Sequence, residues 1–160
     1  MKKLFGLVLS VTLLMGFVTF PVWAQETIYP KVMHTYTTTE DFSSDEWSTA
    51  LRGAYLLDGM SCIARYGTKS IAISGCTNAT QYVDKVILTL FVERSTSYAT
   101  GYGNYRTYTY SADNVYQIMR EISNIPVERG YYYRVTGVHS VTHNGITETT
   151  NSVTNPISYL

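Results

Sequence analysis

Short runs rich in tyrosine, threonine and valine, separated by turn-forming residues, dominate the chain from Gly53 onward. Side chains of these types favour the half-buried surface of a pleated strand. In the clearest run, 83–93, large apolar residues recur at every second position: Val86, Leu88, Leu90 and Val92. That period of two predicts a strand, and a partly apolar second face predicts that the strand is central.

Two turn signals predict hairpins. The segment 67–69 (Gly-Thr-Lys) separates strand-like runs at 61–66 and 70–74. The pair Asn144-Gly145 predicts a type I′ turn, since both residues accept a positive φ angle. The segment 115–122 also has a weak helical spacing, but its β-rich neighbourhood favours a strand.

Counting these runs gives about seven or eight strands, a number typical of an all-β, antiparallel sandwich. The prediction is an immunoglobulin-like or fibronectin-like domain over 53–160. Tyr133, near the start of a long strand-like run, resembles the tyrosine of such sandwiches whose hydroxyl ties a corner to the backbone. The alternative is that Tyr133 belongs to an ordinary aromatic-rich strand.

The first 24 residues have the layout of a secretory signal peptide. Two lysines precede an apolar run over 4–20, and Val22 and Ala24 occupy the −3 and −1 positions of a cleavage site. Cleavage is expected between Ala24 and Gln25, so the protein is expected to be secreted. An N-terminal membrane anchor is the alternative, although the run is shorter than the roughly 20 apolar residues of a stable span.

The next segment, 25–52, is predicted to be a polar, loosely ordered arm. It is rich in threonine, serine and acidic residues and offers few apolar side chains to bury. One short helical turn is expected over 45–51, capped by Ser43 or Ser44.

Cys62 and Cys76 are the two cysteines of the chain. Outside the cytoplasm, a pair of this kind is more often a disulfide than a metal or redox site. A register that places Cys62 opposite Cys76 puts both on one face, and the bridge would contribute about 3 kcal/mol for a loop of about 15 residues. Two reduced, buried thiols are the alternative. No metal or cofactor is expected, because two thiols cannot complete a zinc site.

Four segments, 83–86, 130–135, 137–140 and 147–150, resemble a family of small exported proteins of Gram-positive bacteria. That family is catalogued only as a domain of unknown function. The resemblance covers roughly 52–152 and implies secretion and a compact β domain, but it brings no activity and no site residues. The cysteine pair and the tyrosine-rich segment 95–110 depart from the family's pattern.

An enzyme is not expected. His139 and the adjacent Ser140 point to opposite faces of a strand, so they cannot act as a catalytic pair. His34 lies in the polar arm and His143 beside a turn, and neither belongs to a recognised catalytic motif. A hydrolase that uses two carboxylates remains as an alternative.

A binding or adhesion module is the favoured function. Tyrosine interleaved with small polar residues is the composition of adaptable recognition surfaces. The candidate ligand-binding residues are Tyr98, Tyr102, Tyr105, Arg106, Tyr108 and Tyr110. The expected partner is an extracellular glycan or protein. Nucleic acid is not expected, because 12 basic residues are balanced by 12 acidic residues.

Three alternatives stay open. Tyr108 and Tyr110 would simply cover a sheet face if the segment has only a structural role. The protein would be a structural, matrix-type component if its sheet edges self-associate. It would be one component of a secreted effector if its role depends on a partner protein.

Overall fold

The computed structural model describes residues 32–39, 41–49 and 54–159, and the regular structure in these ranges is entirely strand. All pairings between the strands are antiparallel. The prediction of an all-β antiparallel domain is therefore confirmed. No helix in the described ranges has the length and hydropathy needed to cross a membrane. The predicted signal peptide, with its cleavage between Ala24 and Gln25, lies outside the described residues.

The strands of the described ranges are β1 (Val32–Thr38), β2 (Phe42–Thr49), β3 (Leu56–Arg65), β4 (Ser70–Ser95), β5 (Gly103–Pro126), β6 (Tyr131–His143), β7 (Ile146–Val153) and β8 (Ile157–Tyr159).

Strand β4 is the centre of the sheet. It is 26 residues long, and the 24 residues of β5 pair along one of its edges. The other edge is shared, because β3 pairs with the first half of β4 and β6 pairs with the second half. Strands β1 and β2 extend the sheet beyond β3, while β7 and β8 both pair with β6.

A bend in β4 folds the sheet onto itself. The register with β5 shifts between Asn78 and Val83, which is the mark of a β-bulge. Beyond the bend, Gly75 from the first half of β4 lies against Leu88 and Leu90 from the second half. A Cβ atom at Gly75 would stand 2.7 Å from Leu90 Cδ2, so a side chain at this position would force the leucine side chains to move.

The product is one curled sheet, a half-barrel whose concave face encloses the core. The immunoglobulin-like or fibronectin-like sandwich is not confirmed, because the backbone pairings join all the described strands in a single sheet. Patterning predicts separate strands at 70–74 and 83–93, whereas β4 covers both. The bulge between Asn78 and Val83 lets one strand continue through both segments without a turn. The spacing of the apolar residues does not indicate this bulge.

The concave face is lined by large apolar side chains of β3, β4 and β6. The face predicted for the run 83–93 is part of this core, because its four apolar residues are completely buried. Among the largest fully buried side chains are Ile63, Ile71, Leu88, Leu90, Tyr133 and Ile157.

The predicted hairpin turns and the strand at 115–122 are confirmed. Residues 66–69 connect β3 to β4, and Asn144 and Gly145 connect β6 to β7 with φ angles of 50° and 77°. The segment 115–122 lies within β5.

Tyr133 forms the predicted tyrosine corner. Its hydroxyl accepts a hydrogen bond from the Glu128 backbone N–H at 2.9 Å and donates to the Glu128 carbonyl oxygen at 3.2 Å. The side chain is completely buried. The turn before β6 is thus fixed to the core through one phenol group.

The sheet begins earlier than the boundary predicted at residue 53, because β1 and β2 lie inside the predicted arm. Ser43 and Asp45 of β2 are completely buried. The Asp45 carboxylate accepts the Val153 N–H at 2.6 Å, and the Ser43 hydroxyl accepts the Asn155 N–H at 2.9 Å. Loose order is therefore wrong for the described part of the arm, and the helical turn is wrong for 45–49. Polar residues that indicated a solvated arm instead satisfy buried backbone groups.

The register separates the two cysteines. Cys62 pairs with Ser74 and Cys76 pairs with Met60, so the thiols are diagonal neighbours on one face of the sheet. Both thiols are free, and the predicted disulfide is absent. The reason is the hairpin turn, which pairs Arg65 with Ile71 and so moves the register by two residues from the one that a direct bridge needs.

Replacement of Tyr133 by phenylalanine should lower the free energy of unfolding by about 0.5–1.5 kcal/mol, since it removes the part-buried hydrogen bonds between the Tyr133 hydroxyl and the Glu128 backbone. Urea unfolding followed by tyrosine fluorescence measures the change. Tyr108→Phe is the control, because Tyr108 is only half-buried and no hydrogen bond is seen at its hydroxyl. Equal stability of both variants would contradict the role assigned to the corner.

Candidate functional site

The structure divides the six predicted binding residues into two groups. Tyr105, Tyr108 and Tyr110 lie on β5 and pack partly against the core. The Tyr105 hydroxyl donates to the Pro126 carbonyl oxygen at 2.9 Å, and its ring makes an edge contact with Tyr133 at 5.7 Å between centroids. These three tyrosines therefore help to hold the sheet, as the structural alternative predicts for Tyr108 and Tyr110.

Arg106, the fourth residue, is exposed and stacks on Tyr105, with its guanidinium carbon 4.4 Å from the ring centroid. Arg94 approaches the same ring at 4.6 Å and also lies 4.5 Å from the ring of Tyr131. The Arg94 guanidinium also pairs with Glu128 at 2.9 Å. The result is a cation–aromatic stack at the end of the sheet, in which Arg94 is also ion-paired with Glu128.

Tyr98 and Tyr102 lie in the loop between β4 and β5 and meet two residues of β6. The Tyr98 ring is 56% exposed and makes an edge contact with Tyr132 at 5.6 Å between centroids. The Arg134 guanidinium carbon stands 4.1 Å from the Tyr102 ring centroid. The four side chains Tyr98, Tyr102, Tyr132 and Arg134 are called the tyrosine platform below.

The loop that carries the platform is tied internally. Ser95 Oγ donates to the Thr100 carbonyl oxygen at 2.5 Å and accepts the Ser97 N–H at 3.0 Å. The Tyr102 hydroxyl donates to the Tyr98 carbonyl oxygen at 2.9 Å. These hydrogen bonds hold the two loop tyrosines in a fixed position relative to each other.

Arg134 is held in place by the carboxylate of Glu93. Its Nε donates to Glu93 Oε2 at 2.7 Å, and the Thr136 hydroxyl donates to the same carboxylate oxygen at 3.0 Å. Burial raises the pKa of Tyr102, while the charge of Arg134 acts in the opposite direction. The Tyr102 hydroxyl therefore stays neutral at physiological pH, where it can take part in hydrogen bonds as both donor and acceptor.

Sequence reasoning missed Tyr132, Arg134 and Glu93, which are distant from the tyrosine-rich segment along the chain. The register pairs Glu93 with Arg134 and Ser95 with Tyr132, and so brings β6 beneath the loop. One signal was available, because alternation in β6 places Tyr132 and Arg134 on the face opposite the buried Tyr133.

A buried chain of hydrogen bonds contains a serine–histidine pair that the sequence did not reveal. His139 Nε2 lies 2.8 Å from Ser152 Oγ, which lies 2.6 Å from Ser61 Oγ. On the other side of the ring, Nδ1 lies 2.9 Å from Thr77 Oγ1, in the position that a carboxylate takes in a catalytic triad. All four residues are completely buried, so no substrate reaches the pair in this structure. Ser140, as predicted, is not the partner of His139.

Among the described residues, no three histidine, cysteine or acidic side chains are placed to hold a metal ion together. A cleft of about 400 Å³ opens beside the turn between β3 and β4, and none of the predicted binding residues lines it. Its walls include Asp41, Arg65, Gly67, Thr68, Arg129 and Tyr159.

Comparison with known proteins identifies the family. The model of the family of unknown function DUF6147 matches residues 22–157, which is nearly the whole chain. The chain belongs to this family. The match confirms the resemblance to a domain of unknown function and extends it beyond 52–152. No curated protein matches the chain.

Acidification should destabilise this family member through His139. Burial lowers the pKa of His139 from 6.5 to about 4. Above pH 6.5 the imidazole is neutral in both the folded and the unfolded chain, whereas between these values only the unfolded chain takes up the proton. The free energy of unfolding should therefore fall by about 3 kcal/mol as the pH drops from about 6.5 to about 4.

Urea unfolding at several pH values in this window measures the effect, and His139→Gln is the control that removes the titrating group. A flat profile for the unmodified protein, or an equal slope in the control, would show that His139 is not the cause.

Proposed function

We propose that this protein is a non-catalytic binding module that works outside the cytoplasm and recognises a glycan through the tyrosine platform. The observation that carries the proposal is the contact between the exposed Tyr98 and the half-buried Tyr132, beside the Tyr102–Arg134 stack. The signal-peptide layout of residues 1–24 supports the compartment.

The chemistry of the platform fits a sugar ligand. Its rings offer flat apolar area, and the phenol groups and the guanidinium offer hydrogen bonds at its margin. Because Glu93 and the tied loop already hold Arg134 and the two loop tyrosines, few rotamers remain to be fixed when a ligand binds.

The size of the platform favours a glycan over a protein partner. A completely buried aromatic side chain contributes roughly 150–250 Å². Three partly exposed rings therefore offer only a few hundred square ångströms, below the roughly 800 Å² that each side of a standard protein interface buries. A ligand of a few sugar units matches that area.

The double substitution Tyr98→Ala/Tyr132→Ala should abolish binding to cell-wall glycan fractions, because it removes two rings of the platform, neither of which belongs to the core. The measurement is co-sedimentation of the purified protein with insoluble wall polysaccharide, followed by competition with soluble oligosaccharides. The matched control is Tyr66→Ala/Tyr82→Ala, which removes two rings that are 51% and 62% exposed elsewhere on the surface.

Binding that survives in the platform variant would overturn the proposed surface. Failure of the unmodified protein to bind any glycan fraction would overturn the ligand class, and retention of protein from the same fractions would point to a protein partner instead.

A second candidate function, self-association into a matrix-type assembly, is favoured by the edge of β5. This strand is 24 residues long and, among the described residues, pairs only with β4. A free edge of this length presents unpaired N–H and C=O groups to another chain. Asn114 and Asn124 have φ angles of 53° and 57° and interrupt the edge, so residues 115–123 form a regular template between them.

Sedimentation velocity tests this candidate. If the β5 edge self-associates, the weight-average mass should rise with concentration, and Tyr116→Lys should suppress the rise by placing a charge on that edge. Tyr66→Lys is the matched control, because both tyrosines are 51% exposed. A strict monomer at the highest accessible concentration would eliminate this function and leave the glycan proposal unaffected.

A further inference from the structure

Four sulfur-bearing side chains lie on one outward face of the sheet, away from the tyrosine platform. They are all the methionines and cysteines between residues 54 and 159: Met60, Cys62, Cys76 and Met119. Their neighbours Ser61, Ile63 and Thr77 point to the concave side and are completely buried. The alternation of strand residues therefore places the four sulfurs on the convex side.

The register brings the four residues together across β3, β4 and β5. Met60 is directly opposite Cys76, and Cys76 is directly opposite Met119. Cys62 is two residues from Met60 on β3 and lies diagonally across from Cys76. Directly opposed side chains have Cβ atoms roughly 4.5–5.5 Å apart, and long side chains also reach across the diagonal.

The two thiols differ in access. Cys76 is only 3% exposed, and its Sγ donates to Asn78 Oδ1 at 3.3 Å and accepts from Gln117 Nε2 at 3.5 Å. Cys62 lines a shallow depression of about 200 Å³ on the convex face. Cys62 is therefore open to a small ion from the convex face, and Cys76 is its diagonal neighbour on the same face.

The surroundings of Cys62 and Cys76 favour the protonated, neutral form of both thiols in the absence of a metal ion. Burial raises the pKa of both Cys62 and Cys76, and the negative charge of Glu46 adds to the effect. Both groups are thus protonated thiols at neutral pH, and metal binding must release their protons.

We propose that Met60, Cys62 and Cys76 bind one soft monovalent metal ion, Cu(I) or Ag(I), through two thiolates and one thioether. Thiolate and thioether ligands select soft ions, whereas a structural zinc site needs four nitrogen or sulfur ligands. The two S–H bonds break, their protons pass to solvent, and two metal–thiolate bonds form. The methionine sulfur donates a lone pair, and the ion keeps its oxidation state throughout.

Met119 is the fourth sulfur, and its side chain is 57% exposed. It is free to turn toward the ion from the solvent side and shield it. The site shares no residue with the tyrosine platform, so the proposal is independent of the proposed function.

Titration of the protein with Ag(I), and with Cu(I) in the absence of oxygen against a competing chromophoric chelator, tests the proposal. We expect one ion per chain, with two protons released for each ion bound. Cys62→Ser and Cys76→Ser should each weaken binding at least about 100-fold, and Met60→Leu should weaken it about 10-fold to 100-fold, in line with losses seen when supporting groups of metal sites are removed. His143→Gln, which removes an imidazole ligand on another part of the sheet, should leave the affinity unchanged.

Circular dichroism of each variant confirms that the sheet is intact before its affinity is compared. Two ions per chain would show that each thiol acts alone, and unchanged affinity in Met60→Leu would remove the thioether from the site. Absence of stoichiometric binding, or recovery of the thiols as an intramolecular disulfide before any metal is added, would overturn the proposal.

Discussion

The bend in β4 is the constraint on which the rest of the structure depends. Each half of this strand has neighbours on both edges, so one change of direction carries the other seven described strands with it. The bend places the two halves face to face and creates a core from a single sheet. Gly75 sets how closely they approach, because any side chain there would meet Leu90.

The interior that results is partly polar, and its polar side chains form hydrogen bonds with one another. Gly59 and Gly137 have no side chains where a Cβ atom would meet His139 and Ser61. Room is thus made for the hydroxyl and imidazole groups that join β3, β4, β6 and β7. A buried network of this kind is stabilising only if every member has a partner, and it therefore favours a single register.

Local chemistry explains which features could be predicted. The Asn144-Gly145 turn, the buried face of 83–93 and the corner at Tyr133 each depend on residues close in sequence, and all three are confirmed. The curl of the sheet depends on a bulge, which leaves no apolar signature. Most of the tyrosine platform follows from strand pairing between β4 and β6, so sequence reasoning identified Tyr98 and Tyr102 but missed Tyr132 and Arg134.

The hydrogen-bonded chain through His139 has a direction. A neutral imidazole donates from one nitrogen only, so the tautomer decides whether Thr77 and Ser152 act as donor or acceptor toward the ring. Because the Ser152 hydroxyl is also hydrogen-bonded to Ser61, the tautomer also decides which of these two serines is the donor. The hydrogen bonds of all four side chains therefore run in one common direction, which a single proton on the imidazole sets.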